Sequence, residues 1–218
     1  MDPIGLLILL IIIVGVILFF ARVKDPSRRA RFLKRTGMTV MGLFGGFLGL
    51  FIVGETLTDP GGWKGMGLIT IWLVPLAALA AIAWLKPTWG VPILAVLTAA
   101  AVALTAWRAF DERIRDLEDR IGPFTTVVIF AVAVATTALG HERTRTAGIM
   151  LLAIGAAPFL FWGLVDAGDG LSLGTVYMVV GSPMVVAGTL YVLSDVVARR
   201  ARPPGTEEPG PYRLGKAA

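Results

Sequence analysis

Apolar residues run along this chain in long blocks, separated by short joints rich in charge, glycine or proline. The first block, residues 4–21, centres on Leu9-Leu10-Ile11-Ile12-Ile13-Val14 and carries no polar stripe at helical or strand spacing. A helix that is apolar all round is buried in protein or in lipid. A bilayer core of about 30 Å is crossed by roughly 20 residues rising 1.5 Å each. Blocks of about that length recur at 4–21, 37–56, 66–85, 91–107, 124–140, 146–165 and 173–197. The pattern predicts an all-α fold: a polytopic membrane bundle of seven transmembrane helices filling residues 1–198. Beyond residue 199, Pro203, Pro204, Pro209 and Pro211 lie among glycines and charges, which predicts a disordered cytoplasmic tail.

One segment has a different period. Phe110, Ile114, Leu117 and Ile121 repeat at helical spacing, and Asp111–Arg115 and Asp116–Arg120 are acid-before-base pairs at i,i+4. This predicts a short amphipathic helix on the outer membrane surface, ended by Gly122-Pro123.

Charge sets the expected orientation. Seven of the 14 residues from Arg22 to Arg35 are Lys or Arg, and basic connectors stay in the cytoplasm. The cluster of Arg28, Arg29, Arg31, Lys34 and Arg35 is also a candidate contact for anionic lipid headgroups. With this loop inside, the inner segments hold 15 basic residues and the outer ones five, namely Lys64, Arg108, Arg113, Arg115 and Arg120. The N-terminus is therefore expected outside and the C-terminus inside. No basic residue precedes the first block and no small-x-small site precedes Arg22, so an uncleaved anchor is expected rather than a signal peptide. Trp84 and Trp89 flank the inner turn at Lys86-Pro87, and Trp63, Trp107 and Trp162 fall near the outer face, where an indole suits the headgroup zone. Trp72 lies deeper and reads as a packing residue.

Composition agrees. Of 218 residues, 56% are apolar and 16% charged, and the mean hydropathy is +0.78. A chain this small cannot hide that much apolar surface in its own core. The net charge of +5 is absorbed by helix-end residues that set topology, so nucleic acid is not expected as a partner. The absence of cysteine excludes disulfides and thiolate metal sites. The bias toward Ala, Gly, Val and Arg points to a bacterial plasma membrane.

Candidate chemistry is sparse. Gly42/Gly46 and Gly45/Gly49 are G-x-x-x-G pairs that let another helix approach closely. The expected partner is another helix of the same bundle. Ala131, Ala135 and Ala138 offer a similar surface. Pro75, Pro158 and Pro183 fall near mid-membrane, where each removes a backbone hydrogen bond and marks a candidate hinge or cavity. Residues 37–107 and 124–197 are candidate halves of an inverted repeat, with Pro75 and Pro158 each in a middle helix. The deep spans hold no carboxylate or histidine of the sort that relays protons. Glu55, beside Gly54 and near Asp59, forms a candidate polar site at the outer end. His141, the single histidine, lies in an inner loop and cannot by itself ligate haem or metal within the bundle. No cofactor, metal or catalytic residue is expected.

Two stretches resemble a family of small uncharacterised prokaryotic integral membrane proteins. The first is Leu73-Val74-Pro75, then Ala83-Trp84-Leu85-Lys86-Pro87 and Trp89-Gly90; the second is Ser182-Pro183-Met184-Val185-Val186-Ala187-Gly188-Thr189-Leu190-Tyr191-Val192-Leu193-Ser194. The likeness implies a proline-centred helix, an Ala-Trp-basic turn and a closing helix, and no activity. The expected role is a non-enzymatic membrane subunit or scaffold that packs with lipids, a second membrane protein or itself. The alternatives are a permease or channel for a neutral or lipid-like solute, and an outer-face enzyme acting on lipid through Glu55 and Asp59.

Overall fold

The computed structural model describes residues 25–56, 62–121, 124–165 and 171–201, and among them every regular element is helical. The helices are α1 (Pro26–Thr56), α2 (Gly62–Leu85), α3 (Pro87–Phe110), α4 (Glu112–Ile121), α5 (Phe124–Leu139), α6 (Thr144–Val165) and α7 (Leu171–Arg200). Six of the expected spans and the expected amphipathic helix α4 are thus present as helices. The remaining span, residues 4–21, lies outside the described residues, as do Asp59 and the tail beyond residue 201.

The largest departure from expectation is at α1. From Pro26 onward, the basic stretch expected as a loop is instead the first third of a 31-residue helix. Asp25 explains the start: its carboxylate accepts the Ser27 N–H at 2.9 Å and the Ser27 hydroxyl at 3.1 Å. Pro26 takes the first helical position, where a missing N–H leaves nothing unsatisfied. Arg, Lys, Ala and Leu are all good helix formers, so a charged run marks where water lies without marking a loop. The α2–α3 joint is also tighter than expected. Lys86 alone separates the two helices, and Pro87 opens α3. Gly90 admits the sharp return, because a Cβ there would lie 2.9 Å from the Ala83 Cα.

The short helix α5 sits centrally, touching α1, α2, α3 and α6. Ile129, Phe130, Val132, Ala133, Ala135 and Leu139 bury on its several faces. Ala131, Ala138 and Trp72 pack against this core.

The closest helix contact is between α6 and α7, where backbone meets backbone. A Cβ on Gly148 would lie 2.9 Å from the Gly188 carbonyl, and a Cβ on Gly188 would lie 2.9 Å from the Gly148 carbonyl. One helical repeat further on, a Cβ on Gly155 would meet the Gly181 carbonyl at 3.0 Å, and one on Gly181 would meet the Gly155 carbonyl at 2.9 Å. The residue numbers rise on α6 as they fall on α7, so the seam is antiparallel and in register. Tyr191 continues it. Its ring is fully buried and fills a socket whose walls are glycine: a Cβ on Gly37 of α1 would come within 2.8 Å of it, and one on Gly140 closer still. Its hydroxyl donates to the Thr137 carbonyl at 3.4 Å. One aromatic residue thereby joins α1, α7 and the α5–α6 turn.

The same helices turn large apolar side chains outward. Phe47, Ile71, Val96 and Leu160 are each more than three-fifths exposed. Only 12% of the most apolar stretch of α2 is buried within the protein. α2, α3, residues 144–161 of α6 and residues 181–200 of α7 are long and apolar enough to cross a membrane, while α5 is a shorter apolar helix.

Two glycine substitutions should have opposite signs. Gly188→Ala forces the α6–α7 backbones apart and should cost about 1–3 kcal/mol, as overpacking does. Gly42→Ala puts a methyl where nothing lies within 4 Å among the described residues, and should be neutral or stabilise α1 by up to about 1 kcal/mol. Thermal unfolding of both variants in detergent micelles measures this; equal effects would contradict the seam.

Candidate functional site

Hydrogen bonds and ring contacts gather one set of helix ends together. Lys34, near the start of α1, donates to the His141 carbonyl in the α5–α6 turn. The His141 ring lies 4.3 Å from the Trp84 ring at the end of α2. Ser194, near the end of α7, donates to the Ala30 carbonyl at 2.8 Å. The start of α1, the α2–α3 turn, the α5–α6 turn and the end of α7 therefore share one end of the bundle. Arg28, Arg31, Arg35, Lys86, Arg143, Arg145, Arg199 and Arg200 accompany them. Desolvation holds the Lys34 ammonium below the ordinary lysine range, and the nearby Glu142 carboxylate works against that shift.

Within the basic cluster the side chains differ. Arg31 and Arg35 are exposed, and Arg28 forms a loose pair with Asp25 at 3.7 Å. Arg29 is half-buried and engaged. Arg199 makes the firm contact of this end, with its Nε 2.7 Å from the Asp195 carboxylate four residues earlier.

A second feature opens on the side of the bundle. Gly45, Gly46, Gly49, Leu50, Trp72, Leu76, Phe130 and Val134 line an apolar groove of about 320 Å³ between α1, α2 and α5. Phe44 props α1 on α5 through an edge-to-face contact with Phe130, with ring centres 6.1 Å apart. Of the four glycines expected to pack helices, only Gly45 meets a neighbour closely: a Cβ there would lie 3.3 Å from the Val134 side chain. A Cβ on Gly42, Gly46 or Gly49 would meet nothing within 4 Å among the described residues. The expectation of an internal partner for this face is therefore not met by the described helices, and tight internal packing falls to α6 and α7 instead. The spacing that could have located it is seven residues, Gly148 to Gly155 and Gly181 to Gly188, present in both helices.

The three prolines stay inside helices that run through them. Pro75 is exposed, Pro183 half-buried and Pro158 buried. None lines the apolar groove or the polar cleft at the basic end. Glu55 lies in the last turn of α1, while its side chain and the whole of Asp59 lie outside the described residues. Among the described residues no cluster of three or more acidic or histidine side chains has metal-binding proximity.

The far end carries α4. Asp111 caps it, accepting the Arg113 N–H at 2.9 Å on one oxygen and the Trp107 indole N–H at 2.9 Å on the other. The sequence offered Asp111 as a partner for Arg115, whose side chain lies outside the described residues. The structure makes Asp111 a cap that also fixes an indole at the end of α3. Phe110 and Phe161, 6.3 Å apart edge to face, tie the end of α3 to α6.

Comparison with protein-family models, with curated proteins and with solved structures finds no match to this chain. Its function must therefore be argued from its own residues.

The Trp107 indole, followed by the Arg113 N–H, holds the Asp111 carboxyl below the ordinary 3.8. A depressed carboxyl stabilises the fold above its unfolded value and loses that contribution as pH falls through its folded value. Acidification below about pH 4 should accordingly speed amide exchange in the first turn of α4. Asp111→Asn should lose that pH dependence, which exchange mass spectrometry at matched pH values reads directly.

Proposed function

We propose that this chain is a multi-pass protein of a bacterial plasma membrane, with its N-terminus outside and its C-terminus inside. It works there as a non-enzymatic subunit or scaffold. The observation that carries the reading is the outward-facing apolar surface of α2, α3, α6 and α7, coupled with an apolar, glycine-lined groove on α1. Water would penalise every one of those side chains at roughly 25 cal/mol for each Å² exposed, and an exposed apolar surface of this extent calls for lipid or protein to cover it.

Orientation follows from the one-sided charge. Basic helix ends that share one end of a bundle belong on the cytoplasmic side. Trp84 and Trp89 at that end, and Trp63 and Trp107 at the other, are exposed, as indoles in the two headgroup zones would be. A role in packing is supported by where the small residues lie. The α6–α7 glycines are consumed inside the chain, whereas Gly42, Gly46 and Gly49 are open among the described residues and offer their face to a further helix or an acyl chain. In lipid such close approach replaces the missing hydrophobic drive with dispersion contacts.

The cysteine-free sequence makes the test clean. Glu142→Cys should react with a membrane-impermeant maleimide only after permeabilisation, and Glu112→Cys should react in intact cells. The reverse labelling would overturn the orientation. Gly46→Leu should leave folding and yield intact while reducing whatever protein or lipid co-purifies in mild detergent. A wild-type chain that purifies as a lone monomer free of both would overturn the scaffold role.

A further inference from the structure

At the basic end, the first turn of α6 and the last turns of α7 face each other across a cleft of about 540 Å³. Its lining combines Arg143, Arg145 and Arg199 with Glu142 and Asp195, above a floor that includes Ile149 and Met150. Of the two acids, Asp195 is already paired. Asp195 holds Arg199 at 2.7 Å, and the field of Glu142 acts on Lys34 across the α5–α6 turn. The side chains of Arg143 and Arg145 are exposed, and their guanidinium groups have no hydrogen bond or ion pair among the described residues. Two guanidinium groups are thus uncompensated on one rim, and the Arg199 guanidinium, using one nitrogen on Asp195, faces them from the other. The opening turn of α6 adds backbone N–H groups with no partner in the helix. The floor is of the opposite character: Ile149 is half exposed and continues the apolar side of α6 away from the charged end.

We propose that this cleft binds a phosphate-bearing anion, and that the anion is the headgroup of an anionic phospholipid. Guanidinium is the side chain best matched to phosphate, because its planar fork can donate two parallel hydrogen bonds. Arg143 and Arg145 supply the uncompensated charge, and Asp195 keeps Arg199 pointed at the cleft. A free phosphate would satisfy the arginines alone. A lipid also covers the exposed Ile149, since its glycerol and acyl chains run from the headgroup along that apolar side. The assignment rests on the proposed orientation, which puts this end at the anionic leaflet.

The test uses the full-length protein, purified in neutral detergent and stripped of lipid. Native mass spectrometry then follows phosphatidylglycerol, phosphatidylcholine and inorganic phosphate added separately. Two double variants carry the same change in charge: Arg143→Gln with Arg145→Gln in the cleft, and Arg28→Gln with Arg31→Gln on α1 at the same end. The wild type should retain phosphatidylglycerol over phosphatidylcholine. The cleft variant should lose about tenfold in that retention; the α1 variant, which removes two of the arginines that the sequence also offers as lipid contacts, should keep it, which assigns the retained lipid to the cleft rather than to α1. Equal loss in both variants would mean a diffuse basic surface and overturn the site. No preference between the lipids would overturn it as well. Bound inorganic phosphate without retained phosphatidylglycerol would overturn the lipid assignment and keep the phosphate chemistry. Both variants should show the wild-type unfolding temperature, since the substituted arginines of the cleft hold nothing in place. Maleimide labelling of Glu142→Cys separates the two levels. Inside labelling with no lipid retention defeats the cleft alone, whereas outside labelling defeats the orientation.

Discussion

This chain has more apolar surface than its helices can bury against one another, and that surplus governs the rest of its structure. α2 is the extreme case, without a charge from Gly65 to Leu85 and mostly exposed. On the proposed reading lipid covers the surplus. Helix association then loses its ordinary hydrophobic drive, since an acyl chain is as apolar as leucine. Close packing becomes the remaining source of cohesion, and the glycine seam between α6 and α7 supplies it. Tyr191 extends the seam to α1 by seating its ring where Gly37 and Gly140 have no side chains. Charge has the complementary task of sorting the helix ends.

Much of this was legible in the sequence. The approximate positions of six of the seven expected spans follow from block length, because few structures other than a helix can bury a long uncharged run in lipid. The amphipathic α4 was legible from its period, and the packing role of Trp72 from its depth in a span. The sequence misled where one signal has two physical meanings. Seven basic residues between Arg22 and Arg35 announce water, and they were read as a loop. The Asp25-Pro26-Ser27 cap, which starts a helix there, was the finer clue. Asp111 has a second role that the i,i+4 pattern does not reveal: it stands just ahead of a helix, where a carboxylate caps.

The glycines teach the same lesson about spacing. G-x-x-x-G on α1 was the conspicuous pattern, yet three of its four glycines face open space among the described residues. The working contact uses a seven-residue interval repeated on two helices. A single helix cannot reveal such a pairing, because it is the antiparallel register of α6 and α7 that brings Gly148 to Gly188 and Gly155 to Gly181. A small-residue stripe shows that close approach is allowed; it does not say which surface makes it. On α1 no described helix takes up that permission at Gly42, Gly46 or Gly49, and at the basic end two arginines are likewise left uncompensated among the described residues. Both surfaces are what a scaffold would offer, one to an apolar helix and one to an anionic leaflet.

The central claim is that the outward apolar side chains meet hydrocarbon. Single nitroxide labels at Val96 and Leu160, in the chain reconstituted into liposomes, test it through collisions with oxygen and with a water-soluble nickel chelate. Oxygen concentrates in acyl chains and the nickel complex stays in water. The account predicts oxygen dominating at both positions, with nickel dominating at a control label on Glu142. Nickel dominating at Val96 and Leu160 would contradict it.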